Sequence, residues 1–175
     1  MNSFFELLKT RRSIRKYLVR QVESEKILQI TTAALMSPAS KRSNPWEFVV
    51  VQDKVTLKKL SECRLHGSHF LSKSPLGIAV LVNTEKSDVW MEDASIAAII
   101  MQLEAHDLGL GSCWIQVYGR KTDDDSSSED YIRNLLSIPT NYAVLCILSM
   151  GYPDEERKPY DESKLATEKI HYEKF

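Results

Sequence analysis

This chain is short of the residues that most directly betray a function. Of its 175 residues only three are cysteine, Cys63, Cys113 and Cys146. Odd in number and far apart, they exclude a disulfide framework and leave no Cys-x-x-Cys pair for a metal or redox centre. Glycine and proline are scarce, six of each, and no Gly-x-Gly-x-x-Gly loop is present to cradle a dinucleotide. The net charge is −1, so no global positive field argues for nucleic acid as a partner. No uncharged apolar run reaches the ~20 residues of a membrane span, and no membrane partner is expected. The stretch Met1 to Glu6 has neither the basic nor the apolar segment of an export signal, so a cytoplasmic setting is expected. His66 and His69 are three apart without an evident third ligand, so no metal site is expected.

What remains is an ordinary globular composition, 43% hydrophobic and 27% charged, and residues 1–175 read as one domain. Ser3-Phe4-Phe5-Glu6 is a capping box opening a helix with Phe4, Leu7 and Leu8 on its apolar face. A second helix spans about Ser24 to Met36 and stops at Ser37-Pro38, because the residue before proline is pushed out of helical conformation. A polar loop from Pro38 to Pro45 leads into the strand Trp46 to Val51. A surface helix is expected over Val55 to Arg64 and buried strands over Gly77 to Val82, Ser112 to Val117 and Ala143 to Met150. Met91 to Leu108 is the most apolar helix, closed by Gly109-Leu110-Gly111; such a helix belongs in a core or a subunit interface. A shorter helix spans Glu129 to Leu136. Elements alternate around one sheet, a mixed α and β architecture. Residues 154–175 are polar but end in an alternating Ile170, Tyr172 and Phe175 pattern, expected to form a terminal strand or an arm lying across something.

The densest chemistry lies in Thr10-Arg11-Arg12-Ser13-Ile14-Arg15-Lys16-Tyr17. Arginine offers paired N–H donors matching phosphate oxygens and keeps its charge at any working pH. Arg11 and Arg15, four apart, would be aimed at one point by a continuing helix or turn. The plainer reading is a set of cations complementing a helix C-terminus. Cys146 reads as a small core residue.

Four segments stand in a telling order: Arg11-Arg12-Ser13-Ile14-Arg15; Pro38-Ala39-Ser40-Lys41-Arg42-Ser43-Asn44-Pro45-Trp46; Gly109-Leu110-Gly111-Ser112-Cys113-Trp114; and Gly151-Tyr152-Pro153. Together they resemble the short members of the nitroreductase family of FMN-dependent oxidoreductases, over nearly the whole chain. The resemblance implies an α+β fold, a central, mostly antiparallel sheet flanked by helices, and an intertwined homodimer with 154–175 as its C-terminal arm. It implies FMN as cofactor and NADH or NADPH as hydride donor. A small acceptor, nitroaromatic or quinone in type, would take the electrons in a ping-pong cycle. Arg11, Ser13 and Arg15 match the family's phosphate and pyrimidine contacts, with Arg12 beside them. Pro38, Ala39 and Ser40 match the loop that reaches the partner's flavin. Arg42 stands there for the usual asparagine and Asn44 for the usual glutamine. Cys113, Trp114 and Ile115 match the strand beneath the ring, and Lys158, with Arg157 and Lys164 as alternatives, the basic residue reaching the phosphate. No catalytic acid or base is identified, since the cofactor carries the redox chemistry. The alternatives are a flavin or phosphorylated-ligand binding protein without reductase activity, or a flavin enzyme of the same fold with different chemistry.

Overall fold

The structure is a computed structural model describing residues 3–175; Met1 and Asn2, part of the stretch read for an export signal, lie outside them. Four strands form one antiparallel sheet in the order β1-β2-β4-β3: β1 Trp46–Val51, β2 Leu76–Asn83, β3 Gly111–Gln116 and β4 Tyr142–Gly151. The central strands β2 and β4 are buried on both faces, which is why they read as unbroken apolar runs. Helices cover both sides. On one face α2 (Ser24–Leu35) and α4 (Trp90–Asp107) pack Ile30, Ala34, Ala97 and Met101 against Ile78, Val80 and Leu148. On the other, α3 (Lys54–Leu60) and α5 (Ser128–Leu136) bring Leu57, Leu60 and Ile132 to Ala79, Ile115 and Ile147. Cys146 is a fully buried core residue, as expected, and no cysteine is paired.

Local signals place most element ends. Ser3 accepts the Glu6 N–H at 3.2 Å and opens α1 (Phe4–Thr10). α4 ends in a Schellman motif: Leu110 N–H reaches the Ala105 carbonyl, Gly109 N–H reaches that of His106, and Gly109 takes φ +77°. Asp53 caps α3, which stops four residues short of expectation. Ser61 ends it and turns its hydroxyl back onto the Lys58 carbonyl at 2.6 Å.

The structure departs from expectation at both ends of the chain. The helix does not continue through Arg11: Thr10 bonds back to the Glu6 carbonyl at 2.7 Å and Arg11 is already extended. The apolar side of α1 is not buried either; Phe4, Phe5 and Leu8 are exposed within the single chain. The tail forms no strand among the described residues, only two 3-10 turns at Glu162–Lys164 and Thr167–Lys169, with Ile170, Tyr172 and Phe175 in solvent. Alternation alone does not make a strand; the backbone must also pair with a strand edge, and the tail pairs with none among the described residues.

Candidate functional site

Beyond α1 the chain is not helical: Arg11 is extended, and Ser13 and Tyr17 make isolated β-bridges. Arg11, Ser13 and Arg15 therefore reach one recess without a helix to carry them. The segment lies along the outer edge of β3: Ser13 bridges Ser112, and Ile14 N–H donates to the Ser112 carbonyl at 2.9 Å. Two glycines make this possible. A Cβ on Gly111 would stand 2.7 Å from Ile14, and one on Gly151 would meet Pro75 at 2.6 Å and Tyr17 at 3.0 Å. The two are register partners across β3 and β4, so one notch in the sheet admits the whole segment. Beneath it Tyr17 is buried, its hydroxyl donating to the Ile14 carbonyl at 2.5 Å and meeting the Ser149 hydroxyl at 2.7 Å. Burial pushes the phenol pKa far up, so it stays neutral.

Arg11, Arg12, Ser13, Arg15, Arg157 and Tyr160 line a recess of about 250 Å³. Among the described residues Arg11 and Arg15 pair with no carboxylate. Arg12 is engaged by the arm: its guanidinium donates to the Lys158 carbonyl and lies 4.6 Å from the Tyr160 ring centre. Arg157, the alternative to Lys158, is the arm cation on the recess; Lys158 contributes its backbone carbonyl instead. Phe70 flanks Arg15 at 5.9 Å. The chemistry fits a phosphate dianion: several fixed cations, one hydroxyl and no unspent carboxylate.

Cys113 is buried beside this cluster. Burial raises its thiol pKa against the opposing pull of Arg15, Ser13 and Arg11, so it is no thiolate nucleophile. The side chains of β3 alternate: Trp114 packs toward α4, while Ile115 is fully enclosed in the other core. Ile115 can serve a ligand only through its backbone.

The Pro38 loop sits elsewhere. Lys41, Arg42 and Asn44 have φ of 53°, 57° and 42°, a concentration of left-handed non-glycine backbone that costs energy and marks functional loops. Pro38 and Arg42 are exposed, and Ala39 and Ser40 half-buried. The hydroxyls of Ser37 and Ser43 are buried without a partner. Asp93, buried in the first turn of α4, anchors the loop by accepting the Ser40 N–H at 2.9 Å and the Ser87 hydroxyl at 2.7 Å. Sequence reasoning missed Asp93, because it stands beside Glu92 in the first turn of α4 and only the fold shows which of the two is buried. At the other end of α4, His106 meets the Thr10 hydroxyl at 2.9 Å. Burial, then the Arg11 charge, lower the His106 pKa. From Asp93 to His106 the helix rises about 20 Å at ~1.5 Å per residue. Loop and cationic recess thus flank opposite ends of one helix.

The nitroreductase family model matches residues 8–68 and 63–152, and the chain belongs to that family. It is 36% identical over 180 residues, all of both chains, to the Archaeoglobus fulgidus protein named "Putative NADH dehydrogenase/NAD(P)H nitroreductase". A protein of the same name from Methanothermobacter thermautotrophicus is 35% identical over 97% of this chain and 86% of its own. Among solved structures, an FMN-dependent nitroreductase from Clostridium difficile R20291 superposes with a TM-score of 0.96 at 51% identity, covering 98% of this chain and 100% of that one. No helix among the described residues is long and apolar enough to cross a membrane, and no group of metal-ligating side chains is present among them.

Proposed function

We propose that this chain is an FMN-dependent oxidoreductase that takes hydride from NADH or NADPH and passes electrons to a small acceptor, nitroaromatic or quinone in type, by a ping-pong cycle. The observation that carries the reading is the recess where Arg11, Arg15 and Arg157 converge beside Ser13, in a chain 51% identical to an FMN-dependent nitroreductase. FMN supplies the hydride-accepting chemistry when bound. The three guanidinium groups would hold its phosphate, and the Ser13 hydroxyl would add a neutral donor. The backbone of Cys113 and Trp114, at the β3 edge, would border the ring. No side-chain acid or base is required of the protein, whose work is to bind, orient and exclude.

The same reading makes the protein a homodimer. Phe4, Phe5 and Leu8 of α1, Ile96 and Ile99 of α4, and Ile170, Tyr172 and Phe175 of the arm are apolar and exposed in the single chain; a second copy would cover them. A partner would also bring its Pro38 loop to this chain's recess. Pro38, Ala39, Ser40, Arg42 and Asn44 are then contacts to the flavin held by the partner's arginines. The test is the spectrum of the purified protein. A flavin spectrum that bleaches anaerobically with NADH or NADPH supports the proposal. Bound flavin that neither nucleotide reduces, or no uptake of FMN, contradicts it.

A further inference from the structure

The root of the arm holds a carboxylate that the proposed function leaves unused. Glu155 has a side chain only 12% exposed and stands against the cationic segment. Its Oε1 accepts the N–H groups of Arg15 at 2.6 Å and Lys16 at 3.1 Å, and its Oε2 pairs with the Arg157 guanidinium at 2.6 Å. A bare carboxylate beside an anion site would repel the anion. Here both oxygens are spent on donors, and the cations around the recess still outnumber it. Burial alone would raise its pKa, but the two backbone N–H groups and Arg157 outweigh burial and the pKa falls below the ordinary value. The clamp is charged at neutral pH. Adjoining bonds tie the arm to the N-terminal segment in the other direction: Asp154 N–H donates to the Lys16 carbonyl and Tyr160 N–H to that of Lys9, both at 2.9 Å.

We propose that Glu155 is a positioning residue for the phosphate: it ties the arm root to the cationic segment so that Arg15 and Arg157, distant in sequence, face one recess. This rests on the reading that the recess takes the phosphate of FMN. Glu155 touches no ligand itself. Its effect is confined to phosphate recognition, which separates it from a residue that merely anchors the tail.

The experiment compares FMN with riboflavin, which carries no phosphate, by fluorescence titration of the wild type, Glu155→Gln, Arg157→Gln and the double variant. In Glu155→Gln the amide oxygen can still accept from Arg15 and Lys16, but its NH₂ opposes the Arg157 donors. FMN affinity should fall about tenfold, the scale of one charge-assisted bond, while riboflavin affinity stays within about twofold. The double variant should be no worse than the weaker single, because the two side chains act as a unit. Unchanged FMN affinity in Glu155→Gln, or equal losses for FMN and riboflavin, overturns the proposal and leaves the flavin function standing. If the wild type binds neither flavin, the functional reading fails instead. Inorganic phosphate then decides: a phosphate-induced rise in melting temperature that Glu155→Gln loses supports the positioning role. The same rise in both proteins, or none in the wild type, overturns it.

Discussion

The two ends of α4 solve opposite problems. At its C-terminal end the cationic segment is finished within one chain: Ile14 bonds to β3, Tyr17 is satisfied beneath, and Glu155 clamps it from the arm. At its N-terminal end the Pro38 loop is left-handed at three non-glycine residues, leaves two buried hydroxyls without partners, and hangs on Asp93. On the proposed reading, an element held ready by its own chain and a strained loop with unmet contacts are what a site shared between two copies would require. The difference then teaches where the strain would go: into the part that waits for a partner, not the part that grips first.

The largest expected effect breaks the finished end. Arg11→Ala with Arg15→Ala removes two charge-assisted contacts of ~1.5–3 kcal/mol each, so the FMN dissociation constant should rise about a hundredfold or more. Titration checks this; Ser13→Ala should lose far less. Next is Gly111→Ala, whose new methyl would sit 2.7 Å from Ile14. It should lower stability by ~1–3 kcal/mol in thermal or denaturant melts, through overpacking, and weaken FMN binding as the segment is pushed from the sheet. Gly109→Ala has open space around it but φ +77°, and should cost ~1 kcal/mol without a matching loss of FMN.

Deleting residues 163–175 sharpens the comparison from the other side. It spares Glu155 and Arg157 but removes Ile170, Tyr172 and Phe175, each worth ~1.5–3 kcal/mol if buried by a partner. The truncated protein should melt lower, and its melting temperature should depend more steeply on protein concentration. Equal melting would mean a frayed end. The smallest effect concerns pH. Because the folded His106 pKa lies below its ordinary 6.5, the unfolded chain binds more protons there. Stability is unaffected above that value and falls as pH drops below it. His106→Gln should flatten this acid limb of the melting profile.

How much of this was legible in the sequence depends on how far each cause reaches along the chain. Ser3 and Glu6, or Gly109 and its helix, act within one turn, and their caps were readable. The sheet was readable too, because strands buried on both faces show as apolar runs. Arg11 and Arg15 were seen as a pair that a continuing helix or turn would aim at one point; they do share a recess, but the helix ends at Thr10 through a contact that composition does not mark. Gly111 was read as part of a helix cap and Gly151 only as part of a family-matching segment. Their role depends on Ile14, Tyr17 and Pro75, which come close only in the fold. Glu155 was one acid in a charged tail with nothing to distinguish it, and Asp93 stands beside Glu92 with nothing in the sequence to single it out.

The central claim is that one flavin is gripped by the arginines of one chain and the Pro38 loop of another. It is tested by pairing a chain carrying Arg11→Ala and Arg15→Ala with one carrying Asp93→Ala, which frees its loop. Each homodimer should purify with little FMN. In the mixed dimer one site inherits both lesions and the other neither, so the account expects FMN to return to about one per dimer. A mixed dimer as empty as its parents would place both elements at the same chain's site and contradict the account.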